Sequence, residues 1–438
     1  MRPLLSLSLS PKKVFIVVAT VFVTAIVARA VGTSASSEME TRGLKTPGSH
    51  DTPGSSSDQS AQQDPVLRGR ELVINHACGE CHGGGNNPAA KGWLAGLGAS
   101  EPPVDFKIGP PPCGVDPAAK GCFTTRPRNL TPDNDTGLGR FTERQIFNAL
   151  RFGLRPENTP DVVITSTTPG QGNFPRLPHY VAPPMPWTAW RHMSDADLRA
   201  IAAYLKRGLK PVVNKVAESE GPPDFWASFM VPENIGAYPA PAFPAANEQQ
   251  PPAPQKARVL RGRALVIDHG CGDCHGGLSD PSRKGWLAGI TSEAGAFAIG
   301  PCLQDPKAPC FKGRPKNITP DKETGIGRWT DQQVFNALRH GLKPEETPDV
   351  KITSMTPGQG NFPKEPRYLG PFMPWASWRH MSDEDLLSII AYLRHAVKPA
   401  SNKVPLSDDA PDHWASIVAT IGSYPSPAFP TANEARRK

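Results

Sequence analysis

Residues 78–82 read Cys78-Gly79-Glu80-Cys81-His82, and 193 residues later the chain repeats them as Cys271-Gly272-Asp273-Cys274-His275. Two thiols separated by two residues lie along one helical turn, and the adjoining histidine falls beside them. This is the spacing of covalent haem attachment: Cys78 and Cys81, or Cys271 and Cys274, add to the vinyl groups, and His82 or His275 ligates the iron. A zinc site would need more Cys or His at finger-like spacing, and a thioredoxin-like pair would need a βαβ context. Neither surrounds these motifs. The expectation is two covalently bound haem groups.

The repetition extends outward from the motifs. Leu67-Arg68-Gly69-Arg70 returns as Leu260-Arg261-Gly262-Arg263, and Lys91–Gly96 returns as Lys284–Gly289. After small deletions the offset is 188, where Arg126-Pro127 meets Arg314-Pro315, and the copies close alike in Ile235–Pro239 and Ile421–Pro425. Each copy carries helix signals. Thr142-Glu143-Arg144-Gln145 and Thr330-Asp331-Gln332-Gln333 fit a capping box, and Ser194 and Ser382 open a later amphipathic helix. Leu67–His76 forms a further amphipathic stretch leading into the first motif. Strand-like alternation is scarce, so the expected class is all-α, with long irregular loops. The expected divisions are 1–30, 31–65, a first domain over 66–246, a linker over 247–257 and a second domain over 258–438.

Composition agrees with a loop-rich chain. Pro and Gly supply 51 and 40 of the 438 residues. Four of the basic residues behind the net charge of +7, Arg2, Lys12, Lys13 and Arg29, precede residue 31 with no acid among them. The remainder is only weakly basic, and no nucleic-acid partner is expected. The basic start, the apolar run Val14–Ala28 and Ala28-Arg29-Ala30 read as a secretory signal or, if retained, an N-terminal anchor with possible membrane association. The expected location is periplasmic or exported. Ser34–Gln63 has almost no large apolar residues and reads as a tether, and Asn247–Lys256 as a Pro- and Gln-rich semi-rigid spacer.

With both motifs in place the chain resembles the c-type cytochromes, in particular the multihaem subunits of periplasmic alcohol and sugar-acid dehydrogenases. The resemblance also rests on Asn129-Leu130-Thr131-Pro132-Asp133, Thr136-Gly137-Leu138-Gly139 and Met185-Pro186-Trp187. Their counterparts are Asn317–Asp321, Thr324–Gly327 and Met373-Pro374-Trp375. It implies two tandem cytochrome c domains, with Met185 and Met373 as sixth iron ligands. Those subunits usually carry three haems, and this chain has two motifs. The residues themselves leave His192/His380 and Met193/Met381 as further candidates. Met185 and Met373 lie in Pro-bounded loops able to reach across a haem, whereas Met193 and Met381 precede capping serines and face Leu198 and Leu386 as a hydrophobic staple.

Cys113 with Cys122, and Cys302 with Cys310, read as local disulfides of an exported protein, the rival being an iron–thiolate bond. Ile108-Gly109-Pro110 and Ile299-Gly300-Pro301 resemble the cytochrome c segment whose proline carbonyl accepts the proximal histidine's N–H; the bland reading is a simple turn. Two irons each closed by His and Met leave no open position for a substrate. The expected role is electron transfer between a dehydrogenase or cytochrome complex and a terminal acceptor. The alternative is a di-haem enzyme of the cytochrome c peroxidase or thiosulfate dehydrogenase type, which would make its two haem sites unlike.

Overall fold

A computed structural model describes residues 64–98, 106–108, 123–182, 185–219, 230–292, 297–299, 311–370, 373–407, 421–422 and 424–435. The first copy contributes α1 (Pro65–Asn75), α2 (Cys78–His82), β1 (Phe106–Ile108), β2 (Phe123–Thr125), α3 (Glu143–Phe152), α4 (Trp187–Trp190) and α5 (Asp195–Ala203). The second repeats the order in α6 (Lys256–Asp268), α7 (Cys271–His275), β3 (Phe297–Ile299), β4 (Phe311–Gly313), α8 (Asp331–His340), α9 (Trp375–Trp378) and α10 (Asp383–His395). The molecule is mostly helical. Among the described residues the exceptions to the all-α expectation are two short antiparallel ladders, β1 with β2 and β3 with β4, and four isolated bridges. Three-residue strands are too short to show a period in sequence.

The helices begin where their polar residues satisfy free amides. Asp64 accepts from the Val66 amide at 2.7 Å and Pro65 occupies the first helical position, so the helix starts at the last residue of the 31–65 division. Thr142 with Gln145, and Thr330 with Gln333, form both bonds of the capping box. Ser194 and Ser382 cap the amides of Asp197 and Asp385 at 3.0 Å. Met193 and Met381 are buried in the same cores as Leu198 and Leu386, as the staple requires.

In each copy the first helix crosses the last at a glycine. A Cβ on Gly69 would lie 1.9 Å from the Ala200 carbonyl oxygen, and one on Gly262 would lie 1.8 Å from that of Ser388. The contact is therefore backbone against backbone, and it draws Leu72 and Val73, or Val266 and Ile267, into a core shared with α5 or α10.

The segments that follow the copies trade places. Tyr238 remains with its own copy, 3.3 Å from Arg151 Nη1. Beyond it, the Pro241 carbonyl accepts from Arg263 Nη2 at 2.7 Å and Glu248 Oε1 accepts from Arg263 Nε and the Tyr392 hydroxyl, both at 2.6 Å. In the same way Tyr424 stays with Arg339 while the Pro427 carbonyl and Glu434 reach the first copy. There Glu434 Oε1 accepts from Arg70 Nε at 2.6 Å and from the Tyr204 hydroxyl at 2.7 Å. Each carboxylate is buried and fully hydrogen-bonded, its second oxygen accepting the amide of Ala245 or Thr431. The front of the expected spacer is thus packed: Asn247 donates to the Pro281 and Arg283 carbonyls, and the Gln249 amide bonds the Ala396 carbonyl.

The segments read as signal, anchor and tether before residue 64, and all four cysteines of the expected disulfides, lie outside the described residues. Among the described residues no helix is long and apolar enough to cross a membrane.

Candidate haem sites

Helices α2 and α7 carry the two motifs as single short helices, entered through a left-handed residue, Ala77 at φ 58° or Gly270 at φ 64°. Their second residue must be glycine because a backbone carbonyl, that of Gly85 at 2.0 Å or Leu278 at 1.8 Å from a Cβ, and a tryptophan ring cover it. A Cβ on Gly79 would lie 2.3 Å from the Trp93 ring, and one on Gly272 would lie 2.4 Å from Trp286. Those indoles are fixed in turn, donating to the Tyr204 and Tyr392 hydroxyls at 3.0 and 3.1 Å. The lock that receives Glu434 or Glu248 therefore also braces the attachment helix.

His82 Nδ1 lies 2.7 Å from the Arg128 carbonyl, and His275 Nδ1 lies 2.6 Å from that of Lys316. A carbonyl only accepts, so Nδ1 carries the proton and Nε2 presents a lone pair. Burial lowers both pKa values, that of His82 to about 4, which keeps the rings neutral. This is the state a metal ligand needs. The carbonyl partners within the described residues are those of Arg128 and Lys316; Pro110 and Pro301, named in the sequence reading, lie outside the described residues. A backbone carbonyl leaves no trace in sequence. Its neighbour does, because Asn129 holds the loop, accepting from the Thr131 amide at 2.9 Å and donating to the Val212 carbonyl at 2.7 Å, and Asn317 repeats both bonds.

The four motif cysteines are partly buried free thiols. Burial pushes Cys78, Cys81 and Cys274 up to about 12 and raises Cys271 as well. Neutral thiols of this kind do not favour a thiolate-bound metal or an activated redox pair, and they are compatible with thioether attachment. Met185 packs against the core that also holds Cys78 and against a second cluster around Trp187. Met373 likewise packs against the core that also holds Cys271 and against a second cluster that also holds Cys274. The indole N–H groups of Trp187 and Trp375, one step beyond each Met-Pro, are buried with no acceptor among the described residues. A porphyrin carboxylate has the chemistry to satisfy such a donor, so the residues fit the group that the motifs imply. His192 and His380 are held under Tyr238 and Tyr424, with ring centroids 5.5 Å apart in both copies, and burial lowers each pKa to about 3.

The motifs face each other's copy. Burial pushes Glu80 up to about 7 against the pull of Arg379 of the second copy, and Asp273 to about 7 against the pull of Arg191 of the first. Asn86 Nδ2 donates to the Ala376 carbonyl across the same junction at 2.6 Å. Between the two motifs the rings of His76 and His269 stack, centroids 4.2 Å apart.

A chain with two such sites is similar to the cytochrome c class of electron-transfer subunits. No family model matches it. It is 25% identical over 356 residues to the cytochrome c subunit of gluconate 2-dehydrogenase from Pantoea cypripedii, covering 80% of this chain and 64% of that one. It is 24% identical over 342 residues to the fructose dehydrogenase cytochrome subunit of Gluconobacter japonicus, covering 76% and 53%. A diheme cytochrome c-type protein of Cereibacter sphaeroides is 28% identical over 224 residues, covering 50% of this chain and 59% of that one. The chain thus spans roughly half to two thirds of the length of the curated relatives it matches. The likeness supports an electron-transfer role and implies covalently bound haem.

Proposed function

We propose that this chain is an exported di-haem electron carrier built from two tandem cytochrome c units. Its haems are attached through Cys78 and Cys81 and through Cys271 and Cys274. His82 and Met185 hold one iron and His275 and Met373 the other. When bound, the haems supply one-electron chemistry between ferrous and ferric states. The chain's own residues orient and tune them: the Arg128 and Lys316 carbonyls fix the imidazole planes and raise their basicity, and methionine and apolar surroundings favour the reduced form. The observation that carries the reading is the duplicated histidine geometry, a neutral ring anchored at Nδ1 with Nε2 free, at the end of each C-x-x-C-H helix. The matching ligand residues of the two copies favour a carrier over a di-haem enzyme. The partners are redox proteins, a dehydrogenase on the donor side and a cytochrome or oxidase beyond, in the periplasm.

The test begins with intact mass of the protein matured in a periplasm, where two haem additions are expected and none would overturn the reading. In redox titration, Met185→His should lower one potential and leave the other nearly unchanged, because imidazole stabilises ferric iron better than a thioether does. Two wild-type potentials in that variant would remove Met185 from the ligand set.

A further inference from the structure

We propose that the stacked imidazoles of His76 and His269 are the electronic contact between the two haem groups, a role that rests on the di-haem reading above. Each histidine lies two residues before the first attachment cysteine of its copy. The pair therefore joins Cys78-Ala77-His76 to His269-Gly270-Cys271 by a short path, broken only by a ring-to-ring contact of 4.2 Å between centroids and 26° between planes. Both rings are anchored. His76 Nδ1 donates to the Leu72 carbonyl and His269 Nδ1 to that of Leu265, each at 2.9 Å, so the stack is aimed by the last turns of α1 and α6. Trp190 meets His76 edge-on at 6.1 Å and Trp378 meets His269 edge-on at 6.2 Å. The four rings lead from the core of one copy to the core of the other.

His76, Asp268 and His269 could also be read as a cation site, since they bring ligand atoms within 4.8 Å of one another. The details favour ring contact. Stacked imidazoles direct their lone pairs alongside each other instead of onto one point, and Asp268 Oδ1 is engaged by His269 Nδ1 at 2.7 Å. Burial and the neighbouring ring lower the His76 pKa well below its ordinary value, so that ring enters the stack neutral. Electronic coupling falls off steeply across gaps and is carried best by bonded and van der Waals-packed atoms. A packed pair of π systems between the motifs is therefore the favoured route. With the haems attached, one electron would pass between them, the donor going from ferrous to ferric as the acceptor goes from ferric to ferrous.

The experiment uses the full-length protein with its haems attached. Intact mass is measured first, and fewer than two haems on the wild type would remove the di-haem reading itself. On two-haem protein, haem-methyl proton resonances of partly reduced samples report intramolecular exchange. Wild type should give averaged resonances. His76→Ala with His269→Ala should slow exchange by an order of magnitude or more and separate them, with both haems and both potentials retained. His76→Phe with His269→Phe, which keeps two rings in contact, should exchange nearly as fast as wild type. Exchange as fast as wild type in the double alanine variant overturns the proposal. If small-angle scattering shows that this variant has loosened the junction, the double phenylalanine variant decides: slow exchange with a compact junction overturns the proposal, and fast exchange supports it.

Discussion

The two arms, Pro239–Glu248 and Pro425–Glu434, carry nearly the same residues and fill nearly the same socket, yet they reach it by very different routes. Glu248 closes on Arg263, fifteen residues ahead of it, while Glu434 closes on Arg70 at a separation of 364. The local chemistry of the two locks is equal: one arginine, one tyrosine and a tryptophan behind it. What differs is connectivity. For flexible loops of those lengths, the closure entropy differs by about 3 kcal/mol, an upper bound because the second copy's own fold shortens the effective loop. Equal contacts in a duplicated protein therefore do not imply equal local stability. The lock of the first copy should open more readily, which amide hydrogen exchange around Tyr204 and Tyr392 would compare directly.

The most forceful way to break the comparison is at the carboxylates. Glu434→Ala leaves Arg70 buried without its partner and should cost about 3–5 kcal/mol, as removal of one member of a buried pair does. The loss should appear in the first copy although the residue belongs to the second. Glu248→Ala should do the reverse. Hydrogen exchange read separately on α1 with α5 and on α6 with α10 checks the assignment, and loss confined to each residue's own copy would contradict the exchange of arms.

Acid should act on the two copies unequally. Burial lowers His192 and His380 to about 3, and His340 to about 4. Below pH 6.5 the unfolded chain takes up protons that the native histidines refuse. Stability is thus fully present above about pH 6.5 and is lost as the pH falls toward 3 to 4. His340 has Phe152 as its counterpart, so His340→Phe should flatten the acid branch of a denaturation profile, mainly for the second copy. An unchanged profile would show that His340 is not among the groups responsible.

A smaller difference lies at the entry to the motifs. Ala77 pays for a left-handed conformation that Gly270 adopts freely, so Ala77→Gly should stabilise the first copy by about 1 kcal/mol. Gly270→Ala should cost at least as much, since its Cβ would also approach Asp273 Oδ2 at 2.8 Å. Thermal denaturation of both variants gives the two signs. The least effect belongs to an ion pair that only the second copy has, Arg258 with Glu384 at 3.0 Å on the surface. Glu384→Ala should change stability by about 0.5 kcal/mol or less, and salt should erase the difference.

Much of this protein is determined by short-range sequence. The motif spacing placed both thiols and the imidazole on one helix, and the capping boxes and the Met193 and Met381 staples marked helix starts that the structure repeats. Such features are legible because their partners lie within about one helical turn. The acceptor carbonyls of Arg128 and Lys316, the stacking of His76 on His269 and the three-residue ladders were not, since each joins atoms that are distant along the chain or carry no side-chain identity. The repeat does continue through Glu248 and Glu434, and that text could have flagged the arms as structural. It could not have said which socket each arm fills. The sockets are the same, so only the relative placement of the two folded copies decides that each carboxylate is nearer to the arginine of the other.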